Sequence, residues 1–301
     1  MNKNISISCV IIGFNSKNNL INLLHSINMA DCPSNMKDKI EIIYIDDGSQ
    51  DLSKEAFNKF NLNYQKKCFS FSTNRGRVFA RQRGVNCSSG KWVLFLNSTV
   101  LVDQKIFSEY IKILNDRSAV AFMGSIQYKS SDLIFENYLN NEKRGVNKYY
   151  NQQVINYRHL LFGNCLIKSS VLKRFPFNTN LKYYGGEELD FASRLNYSLP
   201  NKISAYKSAR VYRVSHPSFV EHCNRMTEYG EKNFPLLNKS LQKIVIKYPL
   251  FLSSCFVFKL LINCSLCFSL NFYARFKNKQ LQFLIIKLGL WSSILRGFYK
   301  A

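Results

Sequence analysis

The sequence predicts an α/β fold with a mostly parallel central sheet flanked by helices. The run from Ile5 to Ile12 is rich in β-branched residues, which is typical of a strand buried on both faces. Similar runs alternate with segments of helical periodicity, and this alternation implies right-handed crossovers between parallel strands. Polar residues follow each of the first four predicted strands, at the edge where ligands bind in sheets of this kind.

The individual elements are assigned from the period of their apolar residues. Leu20, Leu23, Leu24 and Ile27 share one face of a first helix. The next predicted elements are a strand at 40–45, a helix at 51–60, a strand at 68–71, a helix at 77–85 and a strand at 91–96. A strand at 165–168 and a short helix follow, and a further helix is predicted from Glu187 onward, after a flexible glycine pair.

Residues 129–157 differ from the segments around them. They are dense in Asn, Tyr and Lys and show weak periodicity. We expect an inserted loop or lid of the kind that often carries contacts to an acceptor substrate.

The polar residues at the four strand ends are the strongest indication of a site. They are Asn15, Asp46–Asp47, Asn74–Arg75 and Asn97–Ser98–Thr99. Any one of these groups alone is ordinary turn chemistry, since Asn, Asp, Gly and Ser favour turns. Because all four occur at the same edge of the predicted sheet, we interpret them together as one ligand-binding crevice.

The charge distribution points to a membrane surface as a partner. The 301-residue chain has a formal net charge of +23, and no Asp or Glu follows Glu231. The remaining tail is both basic and apolar, which favours an anionic membrane surface over nucleic acid. A solvated basic helical tail is the alternative. We therefore predict two units, residues 1–218 and a helical C-terminal extension at 219–301.

Within that extension, the stretch from Tyr248 to Tyr273 is long enough to cross a bilayer. It contains Lys259 and Asn263, and a lysine in the middle of a membrane is costly. An interfacial or re-entrant helical hairpin is therefore predicted in preference to a clean span. A soluble helical cap is the third possibility.

The cysteines and the N-terminus indicate a reducing compartment. The nine cysteines are irregularly spaced, and Cys264 and Cys267 have no second pair that would complete a zinc site. We interpret the cysteines as buried small hydrophobic residues. Met1 leads directly into the first strand without an apolar signal segment. We expect a cytoplasmic protein, peripheral on the inner face of the membrane.

The order and spacing of five short motifs resemble a known family. They are Val10–Asn15, Tyr44–Asp51, Asn74–Arg81, Gly90–Leu96 and Gly185–Asp190. Over about residues 5–218 the sequence is similar to family 2 glycosyltransferases with the GT-A fold. The resemblance implies transfer of a sugar from a nucleotide-diphosphate donor, with inversion at the anomeric carbon.

The resemblance also implies donor contacts. Asp47, followed by Gly48, matches the aspartate that accepts a hydrogen bond from the base, which suits a UDP-type donor. Gly13, Phe14 and Asn15 match the loop that contacts the nucleoside. The arginine of the third motif is Arg81, and with Arg75 it would place positive charge near a diphosphate. A solvated basic helix face is the alternative interpretation of the arginines.

The acidic motif predicts the catalytic base. Glu188 stands at the position that acts as general base in the family, where it would deprotonate the acceptor hydroxyl. Glu187 and Asp190 are expected to position the loop, or to pair with a nearby arginine such as Arg194. The alternative is a charged helix N-terminus favoured by the helix dipole.

One motif departs from the family. Family members carry Asp-x-Asp after the fourth strand, with carboxylates that hold Mg²⁺ or Mn²⁺, whereas here the positions are Asn97 and Thr99. Three outcomes are open: a metal held mainly by the diphosphate, with Asn97, Thr99 and a ligand such as His216 assisting; arginines in place of the metal; or donor binding without turnover.

The function predicted from these features is an inverting glycosyltransferase that acts on a glycan or lipid-linked acceptor. The alternative from another class is a catalytically silent sugar-nucleotide-binding partner in a glycan assembly complex. A basic nucleic-acid-binding protein is disfavoured, because the charge follows the apolar tail and no recognition motif is present.

Overall fold

The computed structural model describes residues 4–246 and 256–300, and over those residues eight strands form one sheet. The strands are β1 (Ile7–Gly13), β2 (Ile40–Asp46), β3 (Gln65–Ser70), β4 (Trp92–Asn97), β5 (Val100–Val102), β6 (Ala121–Ser130), β7 (Asn164–Lys168) and β8 (Ile203–His216). The helices are α1 (Lys17–Met29), α2 (Ser34–Lys37), α3 (Ser53–Lys59), α4 (Arg77–Cys87), α5 (Ile106–Lys112), α6 (Leu133–Leu139), α7 (Ser169–Arg174), α8 (Glu187–Ser198), α9 (Phe219–Lys232), α10 (Lys239–Ile246), α11 (Phe256–Phe272) and α12 (Lys279–Phe298). Short 3₁₀ turns occur at Gly145–Lys148, Tyr157–His159 and Phe234–Leu236.

The strands lie in the order β3-β2-β1-β4-β7-β6-β8-β5. The first half of the sheet, from β3 to β4, is parallel, and β6 also pairs in parallel with β8. The pairs β4–β7, β6–β7 and β5–β8 are antiparallel. The predicted α/β class with helices on a central sheet is confirmed, and the sheet is mixed with a majority of parallel pairings.

The elements of the parallel half form for the reasons that the sequence indicates. Every residue of β1 and β2 is buried, as expected for strands covered by helices on both faces. In α1 the four apolar residues at helical spacing are the buried ones. The predicted bounds differ from the observed bounds by up to about three residues, as is usual for element ends.

The prediction of an inserted loop at 129–157 was wrong for the first part of that range. Strand β6 continues to Ser130, and α6 begins directly after Asp132, whose side chain accepts a hydrogen bond from the Phe135 amide. The helix has only seven residues, which is too short for periodicity to reveal. The rest of the range contains a 3₁₀ turn and irregular backbone.

The C-terminal helices pack on the sheet domain instead of extending away from it. A second apolar core joins α6, α9, α11 and α12 through Phe135, Phe219, Leu266 and Ile286. Asp132 is a polar link in the same region, since it also accepts hydrogen bonds from the Phe219 amide and the Tyr273 hydroxyl. The helical extension is therefore continuous with the body of the protein.

Among the described residues one helix, α12, is long and apolar enough to cross a bilayer, and 39% of its apolar window is buried against the protein. Within the predicted segment 248–273, residues 248–255 lie outside the described residues. The remainder forms α11. The prediction that the cysteines are buried is confirmed for Cys9, Cys165 and Cys223 and wrong for Cys264 and Cys267 on α11, which are exposed. The other described cysteines, Cys32, Cys68 and Cys87, are partly buried.

Candidate active site

A cavity of about 470 Å³ opens at the carboxyl ends of the parallel strands. All four predicted strand ends contribute to its wall, through Phe14, Asp47, Asn74 and Asn97 among others. Parallel strands bring their carboxyl ends to one edge, so residues that are distant in the sequence meet there. The structure thus brings the polar strand ends together in one crevice.

Asp47 connects two of these strand ends. Its two carboxylate oxygens accept hydrogen bonds from the backbone amides of Arg75 and Gly76, at 2.8 and 3.0 Å. Burial raises the pKa of Asp47 above its ordinary value, against the lowering effect of these two amides. Asp47 therefore holds the loop before α4 in place while its side chain remains part of the cavity wall.

The loop after β1 occupies the adjacent part of the wall. Phe14 is 46% exposed there, and a Cβ at Gly13 would lie 2.8 Å from the Ser16 and Tyr44 hydroxyl oxygens, so only glycine fits. Asn15 has a different task. The backbone N–H of Asn15 donates a hydrogen bond to the Ser49 hydroxyl, and the Asn15 side-chain oxygen accepts one from the backbone N–H of Gln50. These two bonds link the loop after β1 to the loop after β2. Gly48 packs against the Thr73 backbone.

The two arginines predicted to contact a diphosphate lie elsewhere. The Arg75 guanidinium stacks over the Phe71 and Phe79 rings, 5.3 and 4.6 Å from their centroids. Arg81 is only 1% exposed and lies over Phe162. Neither side chain belongs to the cavity wall, whereas Arg77 of the same helix does. The sequence could not distinguish these arginines, because burial depends on how α4 packs.

Arg81 instead forms a buried ion pair with the acidic motif. Its Nη1 donates to Glu187 Oε1 at 3.0 Å, and Arg77 Nε lies 3.8 Å from the same oxygen. Burial acts to raise the pKa of Glu187, but the two guanidinium groups outweigh it and the net pKa lies below the ordinary value. Glu187 therefore stays ionised and anchors the start of α8 to α4.

Glu188 has the opposite electrostatic environment. Burial raises its pKa and the Glu187 carboxylate raises it further, against the opposing charge of Arg81. Its side chain is 26% exposed, and its Oε1 accepts a hydrogen bond from the Phe162 amide at 2.9 Å. An accessible carboxylate with a raised pKa is suited to accept a proton. Asp190 pairs with Arg194 at 2.9 Å.

The glycine pair before α8 is held by the end of α9. Gly185 and Gly186 have φ angles of +80° and +89°, in the region that favours glycine, and both lie against the Tyr229 ring. Asn233 donates from its amide to the Tyr183 and Gly185 carbonyl oxygens and accepts from the Tyr183 amide. The sequence analysis missed Asn233, since no local signal indicates so distant a contact.

The residues after β4 do not form a carboxylate metal site. Asn97 and Thr99 lie on the cavity wall, and the Asn97 Oδ1 atom is buried without a hydrogen-bond partner. No group of three His, Cys, Asp or Glu side chains capable of holding a metal occurs in the part of the chain that the structure describes. The neutral amide and hydroxyl oxygens of Asn97 and Thr99 are a weak ligand set for Mg²⁺ or Mn²⁺, which prefer charged oxygen ligands.

His216 does not complete such a site. The ring is buried in an aromatic cluster with Tyr128, Phe135 and His222, and its Nδ1 lies 2.9 Å from the Pro217 carbonyl oxygen. Since a carbonyl only accepts, Nδ1 carries the proton. Burial lowers the pKa of His216 to about 4, so the ring is neutral near pH 7. The structure gives His216 a packing role.

Three further cationic residues on the cavity wall were not predicted: Lys182, Arg213 and Arg225. Lys182 precedes the glycine pair, Arg213 lies on β8, and Arg225 lies on α9. All three precede the basic tail that begins after Glu231, and no motif in the sequence singled them out. That Arg225 faces the cavity depends on the packing of α9 against the sheet domain.

The comparison with known families agrees with this architecture. A model described as "Glycosyl transferase family 2" matches residues 8–176, more than half of the chain. The chain belongs to glycosyl transferase family 2. A curated relative, the uncharacterized glycosyltransferase YfnE of Bacillus subtilis (strain 168), is 23% identical over 141 residues, which make up 47% of this chain and 35% of that protein.

Solved structures of similar fold include two complexes with nucleotide sugars. S. aureus TarS 1–349 in complex with UDP-GlcNAc is 16% identical, with a TM-score of 0.56 over 98% of this chain and 92% of that chain. The mannosyltransferase PcManGT from Pyrobaculum calidifontis, in complex with GDP-Man and Mn²⁺, is 12% identical, with a TM-score of 0.67 over 99% and 88%. At these identities the likeness concerns the fold, which is GT-A.

Proposed function

We propose that this protein is an inverting glycosyltransferase that moves a sugar from a nucleotide-diphosphate donor, with UDP-sugars favoured, to a glycan or lipid-linked acceptor. The observation that carries this proposal is Glu188, a partly exposed carboxylate with a raised pKa at the start of α8, four residues after Tyr184, which lines the cavity. The UDP-GlcNAc complex of TarS supports a nucleotide-sugar donor for this fold.

The proposed step is a direct displacement at the anomeric carbon. The acceptor oxygen bonds to that carbon while its proton passes to a Glu188 carboxylate oxygen. The bond between the anomeric carbon and the diphosphate breaks on the opposite side, and its electron pair goes to the phosphate oxygen. Glu187 stays ionised beside Arg81 and holds Glu188 in position at the start of α8.

The substitution Glu188→Gln tests this assignment. Removal of a general base costs about 10²- to 10⁴-fold in rate. We expect the turnover of UDP-sugars, measured as release of UDP, to fall by that factor while UDP affinity in calorimetry is unchanged. Glu55→Gln, on the exposed surface of α3, is the matched control and should have no effect. Turnover that persists in Glu188→Gln would contradict the role of Glu188.

A second candidate is a silent sugar-nucleotide-binding partner. The observation that favours it is the replacement of both expected carboxylates by Asn97 and Thr99. It predicts tight binding of UDP or UDP-sugars with no turnover at any Mn²⁺ or Mg²⁺ concentration. Detectable turnover in the native protein excludes it.

We also propose that the protein works at the cytoplasmic face of a membrane, peripheral to an anionic surface. The face of α11 and α12 exposes Val257, Leu260, Leu261, Leu284 and Leu288. The same part of the chain carries basic side chains, and Lys259, Arg296 and Lys300 line one small cavity between the two helices. An apolar face bordered by cations suits a bilayer with anionic headgroups, where lipid-linked acceptors reside.

A further inference from the structure

We propose that Arg213 and Arg225, with Lys182, bind the diphosphate of the donor and neutralise it without a resident metal ion. The inference rests on the proposed function, because it concerns the donor at the same cavity. It assigns a role to three residues that lie outside the motifs of the sequence analysis.

Arg213 lies beside the position of the lost carboxylates. It pairs across the sheet with Val100, the residue that directly follows Thr99. Arg213 is therefore the cross-strand neighbour of the turn that would carry Asp-x-Asp. With Asn97 and Thr99 in place of the two aspartates, the guanidinium of Arg213 has no anionic partner in the turn.

Arg213 also has no partner elsewhere in the described chain. Its Nε is buried without a hydrogen-bond partner, and none of the described ion pairs includes Arg213. A buried guanidinium donor that lacks an acceptor costs free energy, since it has lost water and gained nothing. The group lies on the cavity wall, where a bound anion would provide the missing acceptor.

Two more cations meet Arg213 at the wall. Arg225 comes from α9, with its guanidinium 5.8 Å from the Tyr184 ring centroid, and Lys182 comes from the loop before α8. Neither forms an ion pair among the described residues. Together with Arg77 the wall carries four cationic side chains, against the carboxylates of Asp47 and Glu228. This excess of positive charge favours a ligand that carries two or more negative charges.

The electrostatic environment of Arg213 supports the same conclusion. Burial lowers the pKa of Arg213 below its ordinary value, and the Arg225 and Arg77 cations contribute in the same direction. Mutual repulsion of this kind is relieved when an anion binds between the cations. The same positive field opposes a divalent cation beside Asn97 and Thr99, whose side chains carry no charge.

In the transfer step these residues would act on the leaving group. As the bond between the anomeric carbon and the diphosphate oxygen breaks, its electron pair stays on the diphosphate, and one negative charge develops there. The arginines can donate paired hydrogen bonds to phosphate oxygens, and Lys182 adds a point charge. The proton of the acceptor passes separately to Glu188.

Calorimetric titration of UDP, with uridine and inorganic pyrophosphate as comparison ligands, tests the proposal. We expect UDP to bind in the presence of EDTA with an affinity that Mn²⁺ changes by less than about threefold. Arg213→Met and Arg225→Met should each weaken UDP and pyrophosphate binding by about tenfold or more, since hydrogen bonds to charged groups are the strong ones. Uridine binding should change little. UDP affinity should also fall as salt rises.

Arg210→Met is the matched control, because Arg210 is an exposed arginine on the same strand and should leave UDP binding unchanged. Circular dichroism of each variant verifies the fold. UDP binding that requires Mn²⁺, or that is unaffected by both cavity substitutions, overturns the diphosphate site and leaves the proposed function standing. If neither UDP nor GDP binds with or without Mn²⁺, the proposed function and this inference both fail.

Discussion

At the scale of single residues, the two adjacent glutamates of the acidic motif differ because of what surrounds them. Glu187 contacts two guanidinium groups, and its pKa is held below the ordinary value. Burial and the neighbouring Glu187 charge raise the pKa of Glu188, and they outweigh the lowering effects of Arg81 and of the Phe162 amide. Glu187 is thereby suited to a structural ion pair, and Glu188 is suited to proton transfer.

The buried pair of Arg81 and Glu187 should contribute strongly to stability. Arg81→Met leaves Glu187 buried with only the more distant Arg77, so we expect a loss of about 3–5 kcal/mol in the free energy of unfolding, measured by urea denaturation at pH 7. Arg83→Met, at an exposed position of the same helix, should cost below about 1 kcal/mol.

The pH dependence of the same measurement provides a second check. Because the pKa of Glu187 is lowered in the folded state, its contribution is present above the ordinary value of 4.5 and is lost as the pH falls through the folded value. The difference between Arg81→Met and the native protein should therefore shrink in acid. A difference that is constant between pH 7 and pH 3 would contradict the ion pair.

The raised pKa of Glu188 predicts the pH profile of the reaction. A general base must be deprotonated, so kcat should fall on the acidic side with an apparent pKa above the ordinary value of 4.5. Glu187→Gln removes a charge that raises this pKa and should move the acidic limb to lower pH. An unchanged limb in that variant would show that another group titrates.

At the scale of elements, α9 connects the site to the C-terminal helices. One part of the helix contributes Arg225 and Glu228 to the cavity wall, and Tyr229 lies against the glycine pair before α8. Another part packs closely on α12, where a Cβ at Gly230 would lie 2.0 Å from the Ile294 carbonyl oxygen. The capping box of Ser218 and Glu221 fixes where this helix begins.

Because α9 and α12 approach closely, a Gly→Ala substitution at their contact should destabilise the protein, opposite to its effect in an isolated helix. In an isolated helix Gly→Ala stabilises by about 1 kcal/mol. In Gly230→Ala the new methyl group would meet the α12 backbone, so we expect a net destabilisation of about 1–3 kcal/mol in urea denaturation. Asn224→Ala, exposed on α9, is the control and should not destabilise. Stabilisation by Gly230→Ala would contradict the observed packing.

At the scale of the whole molecule, the helical extension forms part of the cavity wall and also exposes the basic apolar face. The second core, with Phe219, Leu266 and Ile286, is covered by α11 and α12. Truncation before these helices would expose that core, so loss of membrane binding after truncation would not be specific. Surface substitutions in the full chain are the better test of the membrane proposal.

Sedimentation with vesicles containing phosphatidylglycerol measures this binding directly. The substituted residues, each changed to Gln in one variant, are Lys259, Arg296 and Lys300. At about 1 kcal/mol per cation the variant should bind about 100-fold more weakly, and less so at high salt. The control changes three exposed lysines of the sheet domain, Lys37, Lys54 and Lys59. Equal binding of both variants to the vesicles would contradict the membrane proposal.

The local patterns of the chain were sufficient for much of the fold. Apolar periodicity predicted β1, β2, β4 and α1, and the fold class is confirmed. It failed for β5 and α6, which are too short for a periodic signal. Helix α12 lies within the predicted helical extension, for which no separate helix bounds were predicted. In the site, the strand ends were expected to meet and do meet, whereas Arg75 and Arg81 were expected on the wall and lie elsewhere.

The sequence by itself determined the α/β class, the family resemblance and the loss of both carboxylates at Asn97 and Thr99. These features depend on residue identity and on spacing within one element, which a linear pattern records. Only the tertiary structure decided that Arg81 is a buried partner of Glu187 and that Arg213 is the cationic neighbour of the altered turn. Both contacts join distant parts of the chain, and their electrostatics depend on burial, which sheet pairing and helix packing create.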